Sequence, residues 1–580
     1  MLKEEKGSNF EKYSDLAIPG TVHLVDLEGI LNVKKDKHSH SFHNIILQPQ
    51  PSCNPNDPLR WSKSKKQQQF WLLWVWAFLL AVAVNWTGPI WTDWTVEFNC
   101  TFTELNISSA ICFLFLGLGC VFLQPTAMKL GRRFVYLTCT IIVIVGNIIG
   151  SQAISVEYLY VSNLLAGFAA APVDSLVEIS TTDVFFQHER AEYLSWFVFA
   201  LYAGSDLGPV ACGFIIQTMS WRWCFYFQII FFAVLLVVQL FFMEDTTFER
   251  SKDVLKNFES LNVDEGITST EIGEMEPYRN KNEKHKNKNN TNEIENISIS
   301  DISSSDSFVP IRTYWQRMRL IELEFSDSRS WFELFYKPFL LITFPSVVWG
   351  GLIYGSQMMW LSLLATTQSE IYATSPYNFS SAIVGLTNIG ALIGSLIGMI
   401  YGGKFVDYCT IKLTSQNEGI FEPEFRLWTM IVPTIFNAAG LLAYGLGTAY
   451  KSNWTVSVII GQGLLGFAMS SSGSICLTYV VDAYPKIASE ALVLMLFIRN
   501  CIGCSFTFAI QPWLDQCGLK LTTWLMFMLS ILINGSFVIM LKWGKTFRRA
   551  TTKRYYEYCG SSSILERALP SNNNVDAINK

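Results

Sequence analysis

The most informative pattern along the chain is a series of long apolar runs separated by polar segments. Each run is about 20 residues long, the length that an α-helix needs to cross the hydrocarbon core of a bilayer. Six runs precede a long polar interruption and six follow it, which predicts two halves of similar architecture. The twelve predicted spans lie near 70–93, 108–127, 134–154, 157–182, 192–217, 221–243, 337–363, 379–401, 426–448, 453–480, 487–510 and 518–543.

The composition agrees with this pattern. Of the 580 residues, 50% are hydrophobic and 16% are charged, which is too little charge to cover the surface of a water-soluble protein of this length. We therefore predict an all-α membrane protein with twelve transmembrane helices in two six-helix halves. Its predicted parts are a cytoplasmic amino-terminal tail (1–69), the first half (70–243), a disordered cytoplasmic linker (244–336), the second half (337–543) and a cytoplasmic carboxyl-terminal tail (544–580).

Lysine and arginine are concentrated on one side of the predicted spans. Lys63, Lys65 and Lys66 flank the first span on the side assigned to the cytoplasm, and the other inside segments are also basic. The outside loops hold only Arg222, Lys451 and Lys520. Positive charge favours the cytoplasmic side, so both termini and the linker are predicted to lie inside. The chain is expected in the plasma membrane, with a vacuolar or other internal membrane as the alternative.

N-glycosylation sequons give a second test of this orientation, because they are used only on the lumenal side. Four of them, at Asn99, Asn106, Asn378 and Asn453, lie in or at the edge of predicted outside loops. A fifth, at Asn296, lies in the predicted inside linker. The four outer asparagines are therefore the candidate glycosylation sites.

Charged residues inside the predicted spans are few, and each costs about 2.5–3.5 kcal/mol on insertion scales. Asp174 and Glu178 lie in the fourth span, Asp206 in the fifth and Arg499, beside Asn500, in the eleventh. Asp174 and Glu178 continue a narrow face of the fourth span that begins at Asn163. This face must point into the bundle or into a wet cavity. Carboxylates in such a cavity bind protons tightly and can exchange them for a cation. Structural pairing with Arg499 is the alternative for each carboxylate.

Aromatic residues near the first span also have two interpretations. Trp86, beside Asn85, lies deeper than the tryptophans of the interfacial belts and could bind an organic ammonium through its ring. Packing or lipid contact is the alternative. No metal-ligand spacing, nucleophile–base set or cofactor motif is found, so no enzyme activity, metal or cofactor is expected. Cys501 and Cys504, inside an apolar helix, are read as packing residues.

Several motifs resemble those of the major facilitator superfamily. The segment from Gly204 through Gly208 and Pro209 to Gly213 is similar to its antiporter motif, in which glycines permit close helix contact and proline kinks the helix. Arg132 and Arg133 after the second span, and Gly403–Asp407 after the eighth, resemble its basic loop motifs. Ile18–Val25 and Asn56–Ser62 resemble leaders of fungal drug:proton antiporters and of yeast polyamine and organic-cation transporters. The resemblance covers most of residues 18–550.

The chain departs from this family at three positions. Gln124 replaces the leading glycine of the basic loop motif, and Met128 replaces its acidic residue. Asn163 replaces an arginine of the fourth span to which the family assigns a role in proton coupling. In that family the spans beside Cys100 and Cys517 are neighbours, so a disulfide between these outer cysteines is the alternative to two free thiols.

The resemblance implies a monomeric carrier that moves a small-molecule solute, and protons, across the lipid bilayer by alternating access, with no nucleic-acid partner. Three carboxylates against one arginine favour an organic cation, such as a polyamine or cationic drug. One rival substrate is a small organic anion or vitamin held by Arg499. A rival of another class is a nutrient sensor that keeps the fold without transporting. The sequence leaves the direction of transport open.

Overall fold

The computed structural model describes residues 18–23, 54–248, 312–321, 329–375, 377–417 and 419–559. Most of the predicted linker, with Asn296, therefore lies outside the described residues. Twelve long helices form the body of this part of the chain. They are α1 (Lys63–Asn85), α2 (Phe102–Leu130), α3 (Arg132–Ser151), α4 (Val156–Val184), α5 (Gln187–Thr218), α6 (Arg222–Phe242), α7 (Pro345–Tyr372), α8 (Ser381–Ile400), α9 (Ile431–Ala449), α10 (Gly463–Ala483), α11 (Ala488–Gly535) and α12 (Phe537–Tyr558).

Shorter elements connect these helices. Two-residue strands, β1 (Val22–His23) and β2 (Ile420–Phe421), pair antiparallel. The short helical segments are Pro58–Arg60, Gly88–Ile90, Trp91–Glu97, Tyr314–Arg317, Trp331–Leu340, Leu341–Thr343, Tyr401–Phe405, Val406–Gln416, Pro423–Met430, Val456–Gln462 and Pro485–Ile487.

Eleven helical stretches of the described residues are long and apolar enough to cross a membrane. The last of them, Pro485–Tyr558, has 74 residues, which is enough for two crossings. Its backbone leaves the helical conformation at Gly518, where φ is +68° and ψ is 161°. The part of α11 before Gly518 is the eleventh crossing. The part of α11 after Gly518 begins the twelfth crossing, which continues into α12. The prediction of an all-α membrane protein with twelve spans is confirmed.

Two predicted boundaries differ from the structure. The seventh span begins at Pro345 rather than 337, because Trp331–Leu340 forms a separate helix and proline is favoured at a helix start. At the other end, residues 544–558 of the predicted tail belong to α12. They are too polar to register as an apolar run, yet Arg548, Thr551 and Tyr555 are buried along one helix face.

Glycines let neighbouring helices approach until their backbones touch. A Cβ added to Gly394 in α8 would lie 1.9 Å from the Gly463 carbonyl oxygen in α10. One added to Gly167 in α4 would lie 2.2 Å from the Cys112 carbonyl oxygen in α2. Close packing of this kind stabilises the association of helices in lipid, where the hydrophobic effect does not drive helices together.

The two halves meet through α5 with α8 and through α2 with α11. A Cβ at Gly213 in α5 would lie 2.6 Å from the Ser381 carbonyl oxygen at the start of α8, and one at Gly385 in α8 would lie 2.5 Å from the Pro209 carbonyl oxygen. Between α2 and α11, a Cβ at Gly117 would lie 3.1 Å from Asn500 Cβ. The predicted glycine–proline motif of α5 therefore lies partly at the interface between the halves.

The described amino-terminal segment, residues 18–23, packs on the second half. Arg548 of α12 is fully buried and donates to the Pro19 carbonyl oxygen at 2.6 Å and to Thr21 Oγ1 at 3.1 Å. The same guanidinium forms a two-point ion pair with Glu424, at 2.8 and 2.5 Å. A residue near the start of the chain is thereby joined to one near its end.

The turn at Gly518 gives a prediction about stability. Its φ and ψ lie in a region that is essentially reserved for glycine, and another residue there costs about 1–3 kcal/mol. An added Cβ would meet nothing within 4 Å, so the whole cost of Gly518→Ala is conformational. We expect a lower melting temperature for the purified Gly518→Ala protein. Gly535→Ala, also free of contacts but without a positive φ, is the matched control and should be neutral or stabilising.

Candidate functional site

An ion pair between α4 and α11 joins the two halves at their centre. Arg499 Nη1 donates to Asp174 Oδ1 at 3.0 Å, and Nη2 donates to Asp174 Oδ2. The two side chains are 6% and 5% exposed. A bidentate arginine–carboxylate pair is the strongest form of this contact, and here it ties the first half to the second. Arg499 Nε also donates to Asn500 Oδ1 at 3.2 Å.

A tyrosine completes the surroundings of the guanidinium. The Arg499 guanidinium carbon lies 4.7 Å from the centre of the Tyr354 ring in α7, within the range of a cation–π contact. A cation in the middle of this bundle is thus held by one carboxylate and one aromatic face.

A small cavity opens beside this pair, with a volume of about 50 Å³. It is large enough for water but too small for an organic solute, so the bundle must open to admit one. Its polar lining comes from both halves: Asn85, Asp174, Tyr202, Ser205, Tyr354 and Arg499. Asn85 Nδ2 donates to Ser205 Oγ at 3.0 Å, which connects α1 to α5 at the cavity wall.

Glu178 and Asp206 lie outside that lining. Glu178 is fully buried, and neither of its carboxyl oxygens has a hydrogen-bond partner among the described residues. Asp206 is 3% exposed, and its Oδ2 has no partner in the same set. An ionised carboxylate in such surroundings costs several kcal/mol, so the arrangement accommodates the neutral acids. Of the three predicted carboxylates, the structure brings only Asp174 to the cavity.

Two other predicted binding residues lie away from the cavity. Trp86 packs edge-on against Phe225, with ring centres 4.8 Å apart, and lines a separate apolar crevice between α1, α5 and α6. Asn163 Nδ2 donates to Ser108 Oγ of α2 at 2.8 Å. The structure thus gives both the packing role that the sequence left as the alternative for Trp86.

Sequence reasoning missed Tyr354. It stands one helical turn from Gly350 and one from Met358, and all three are buried along α7. A tyrosine placed among Gly350, Gly351 and Gly355 inside a span is the signal that could have identified it.

Ion pairs at the ends of α4 and α10 repeat from one half to the other. In the first half, Arg132 pairs with Asp183 at 2.5 Å. In the second, Arg426 pairs with Asp407 at 2.7 Å and with Asp482 at 2.8 Å. These pairs fix the loops that carry the predicted basic motifs.

Arg133 is bonded differently from its neighbour. It donates to the carbonyl oxygens of Leu240 at 2.7 Å and of Arg319 at 3.0 Å. The Arg319 contact attaches the described part of the central segment to the first half.

The halves are in contact on the predicted outer side. Asn106 Nδ2 of α2 donates to Gln511 Oε1 of α11 at 3.5 Å. On the predicted cytoplasmic side a larger cavity, of about 390 Å³, separates α2 and α4 from α10 and α11. Leu176, Ile179 and Asp183 of α4 line it, together with Met128 and Glu490. The molecule is therefore closed outside and partly open inside.

The outer residues add two results. Cys100 and Cys517 are free thiols in this structure, which is the default that the sequence predicted. Among the sequon asparagines, Asn99, Asn378 and Asn453 are exposed, whereas Asn106 is only 3% exposed. Asn106 is thus corrected as a candidate, because its side chain is held between the halves.

The burial of Asn106 predicts a glycosylation pattern. We expect that replacing Asn99, Asn378 and Asn453 together by glutamine abolishes any mobility shift on glycosidase treatment. Asn106→Gln alone should leave that shift unchanged, because an amide buried at the interface cannot receive a glycan. Gel mobility of the membrane-expressed variants measures this, and a shift that disappears with Asn106→Gln would contradict it.

Comparison with known proteins bears on this arrangement. Residues 73–508 match the family model described as Major Facilitator Superfamily. An uncharacterised MFS-type transporter of Schizosaccharomyces pombe is 31% identical over 575 residues, which covers 95% of this chain and 96% of that protein. Protein HOL1 of Saccharomyces cerevisiae is 28% identical over 571 residues, covering 93% and 96% respectively.

A solved structure supports the fold. The proton:xylose symporter XylE aligns with a TM-score of 0.55 and 13% sequence identity, covering 83% of this chain and 96% of that one. At this identity the likeness concerns the arrangement of helices alone.

Proposed function

The chain belongs to the Major Facilitator Superfamily and is a multi-pass membrane transporter rather than an enzyme, and from this premise we propose that it carries a small organic cation. A polyamine or a cationic drug-like solute has the required chemistry. Transport would proceed by alternating access, in which the halves rock about a site near the midplane. We further propose coupling to protons and a location in the plasma membrane.

The observation that carries this proposal lies beside the cavity of about 50 Å³, which we call the central cavity. There the Arg499 guanidinium pairs with Asp174 and lies over the ring of Tyr354. A carboxylate and an aromatic face together can bind an ammonium or guanidinium group. We call the binding position formed by Asp174 and Tyr354 the seat. The side chains of Asp174 and Tyr354 line a cavity formed by the two halves. Closing and opening of the halves would therefore enclose or release a cation bound there.

The remaining acidic groups support proton coupling. Glu178 and Asp206 are both buried in the first half, and each has carboxyl oxygen without a described partner. A group of this kind is stable when protonated and becomes available as a carboxylate when a cation approaches. The seat and the proton sites would then share one region of the molecule.

The rival anionic substrate is less well supported by the contacts. Both terminal nitrogens of Arg499 already bind Asp174, so an anion would have to displace a buried carboxylate that keeps its own charge nearby. Exchange of one cation for another leaves the charge of the site unchanged.

Uptake and efflux by transporter-deficient yeast test the proposal. Cells expressing the chain are compared with cells expressing an Asp174→Asn variant at equal surface abundance, using labelled spermidine, tetraphenylphosphonium and nicotinate. We expect transport of at least one of the two cations, loss with Asp174→Asn and no nicotinate flux. Nicotinate transport without cation transport would overturn the proposed substrate class.

A further inference from the structure

The guanidinium of Arg499 already makes the contacts with Asp174 and Tyr354 that we propose for an organic cation at the central cavity. It takes both oxygens of Asp174, and it lies over the face of Tyr354. The proposed seat is thus filled by a cation that belongs to the chain. Any external cation that uses Asp174 must first move this side chain.

Glu178 offers the displaced guanidinium a second position. It lies four residues from Asp174 on α4, so the two side chains are neighbours on the same helix face, about 5–6 Å apart at Cβ. Both of its oxygens are buried and without a described partner. Asn500, next to Arg499 in the chain, also has a buried Nδ2 with no partner in the described structure. Glu178 and the residue beside Arg499 therefore both have unused hydrogen-bonding capacity.

From these contacts we propose that Arg499 is an internal cation that alternates between Asp174 and Glu178, and that its movement exchanges one transported cation for one proton. This inference rests on the proposed function, because it assumes that a cation is the solute. It assigns a switching role to Arg499, in place of a purely structural one.

The exchange balances in charge and in atoms. Before binding, the Asp174 carboxylate pairs with the Arg499 guanidinium, and Glu178 is a neutral acid. An incoming ammonium or guanidinium takes the Asp174 carboxylate and the Tyr354 face. The Arg499 guanidinium then pairs with Glu178, whose O–H bond breaks, and the proton leaves to water. One positive charge enters the site and one leaves it.

We assign the exit of the proton to the larger cavity on the predicted cytoplasmic side. Two residues of α4 close to Glu178 in sequence line this cavity, which has a volume of about 390 Å³. They are Leu176, two residues before Glu178, and Ile179, directly after it. Asp183, further along the same helix, lines it as well. In the present state, closed outside and partly open inside, a cation bound from the cytoplasm would return a proton to the cytoplasm.

The groups around Glu178 leave Arg499 as its partner. Asp174 on its own helix and Arg499 on α11 are the charged groups that interact with it. From the other helices packed on α4, the titratable groups near this region are Arg132 and Tyr136 of α3, Cys120 of α2, Tyr202 of α5 and Tyr354 of α7. Arg132 is already paired with Asp183 at 2.5 Å. Cysteine and tyrosine are ordinarily neutral at pH 7, and the apolar stretch of α1, residues 70–85, has no ionisable side chain.

Proton release on cation binding is the direct test. Purified protein in weakly buffered detergent at pH 7 is titrated with spermidine or methylguanidinium, while binding is followed by calorimetry and protons by a pH indicator. The wild-type protein should release on the order of one proton per bound molecule, because the exchange frees the single proton of Glu178. Glu178→Gln should still bind but release none. Glu157→Gln, an exposed carboxylate at the outer start of the same helix, is the matched control and should behave as wild type.

Arg499→Gln gives the sharper result, because the two interpretations differ in sign. If Arg499 occupies the seat, its removal should tighten spermidine binding, by about tenfold in Kd, and abolish proton release. If it only supports the fold, its removal should weaken binding. Arg499→Lys, which keeps the charge but not the two-point contact, should lie between these results and covers the case in which Arg499→Gln does not fold.

The outcomes separate this inference from the proposed function. Binding of neither cation to the wild-type protein would overturn the proposed substrate class and this inference with it. Binding without proton release, release that persists in Glu178→Gln, or weaker binding by folded Arg499→Gln would overturn the exchange alone and leave a cation carrier.

Discussion

Asp174→Asn is expected to abolish transport and to destabilise the protein, because it removes the carboxylate that binds a buried arginine. The loss of stability should stay below the about 3–5 kcal/mol that an uncompensated buried charge costs, since Glu178 offers the guanidinium a second carboxylate. The guanidinium of Arg499 would keep its charge in a region where both side chains are almost wholly buried. The melting temperature of the detergent-purified protein and the transport rate per molecule at the cell surface measure the two effects.

A second substitution separates these effects. Asp174→Asn combined with Arg499→Gln leaves no unpaired charge, so we expect most of the lost stability to return while transport stays absent. Residues in direct contact are those for which such a cycle departs from additivity. If the double variant were as unstable as Asp174→Asn alone, the ion pair would not be the source of the loss.

Gly213→Ala is expected to reduce transport at least tenfold without removing the protein from the membrane. Its new Cβ would lie 2.6 Å from the Ser381 carbonyl oxygen, closer than packed atoms allow. The obstacle is backbone, so α5 and α8 would have to separate at the outer contact between the halves. A carrier that cannot close there cannot complete its cycle.

The control for Gly213→Ala uses the same change elsewhere. In Gly463→Ala the added Cβ meets only the Gly390 carbonyl oxygen, at 3.4 Å, which is an ordinary contact. Gly385→Ala, across the interface from Pro209, should reproduce the defect of Gly213→Ala. Transport is measured per surface molecule for all three. Normal transport by both interface variants would show that this contact does not close the carrier.

Much of the fold could be predicted because bilayer-spanning helices follow from one property, the length of apolar runs. That property fails where stability comes from polar contacts. The final helix, which continues to Tyr558, is held by Arg548 and Thr551, and no hydropathy pattern reports such burial. The start of α7 was misplaced for the related reason that Trp331–Leu340 is apolar without being part of the span.

The candidate site was predictable in type but not in arrangement. Rarity of charge in the spans identified Asp174, Glu178 and Arg499, and the structure places the first and last in contact. Which carboxylate takes the arginine depends on how α4 and α11 approach across the interface. The same holds for Tyr354, since the sequence of α7 does not say which face meets Arg499.

The contact between Arg548 and the segment around Pro19 and Thr21 has a consequence for biosynthesis. Pro19 is among the first described residues to leave the ribosome and Arg548 among the last, so this contact forms only after all twelve spans have been translated. Until then Glu424 has no guanidinium to pair with, and the inner surface of the second half is unfinished. A chain that stops before Arg548 would therefore insert its helices yet display an incomplete surface, which quality-control proteases could distinguish from the finished carrier.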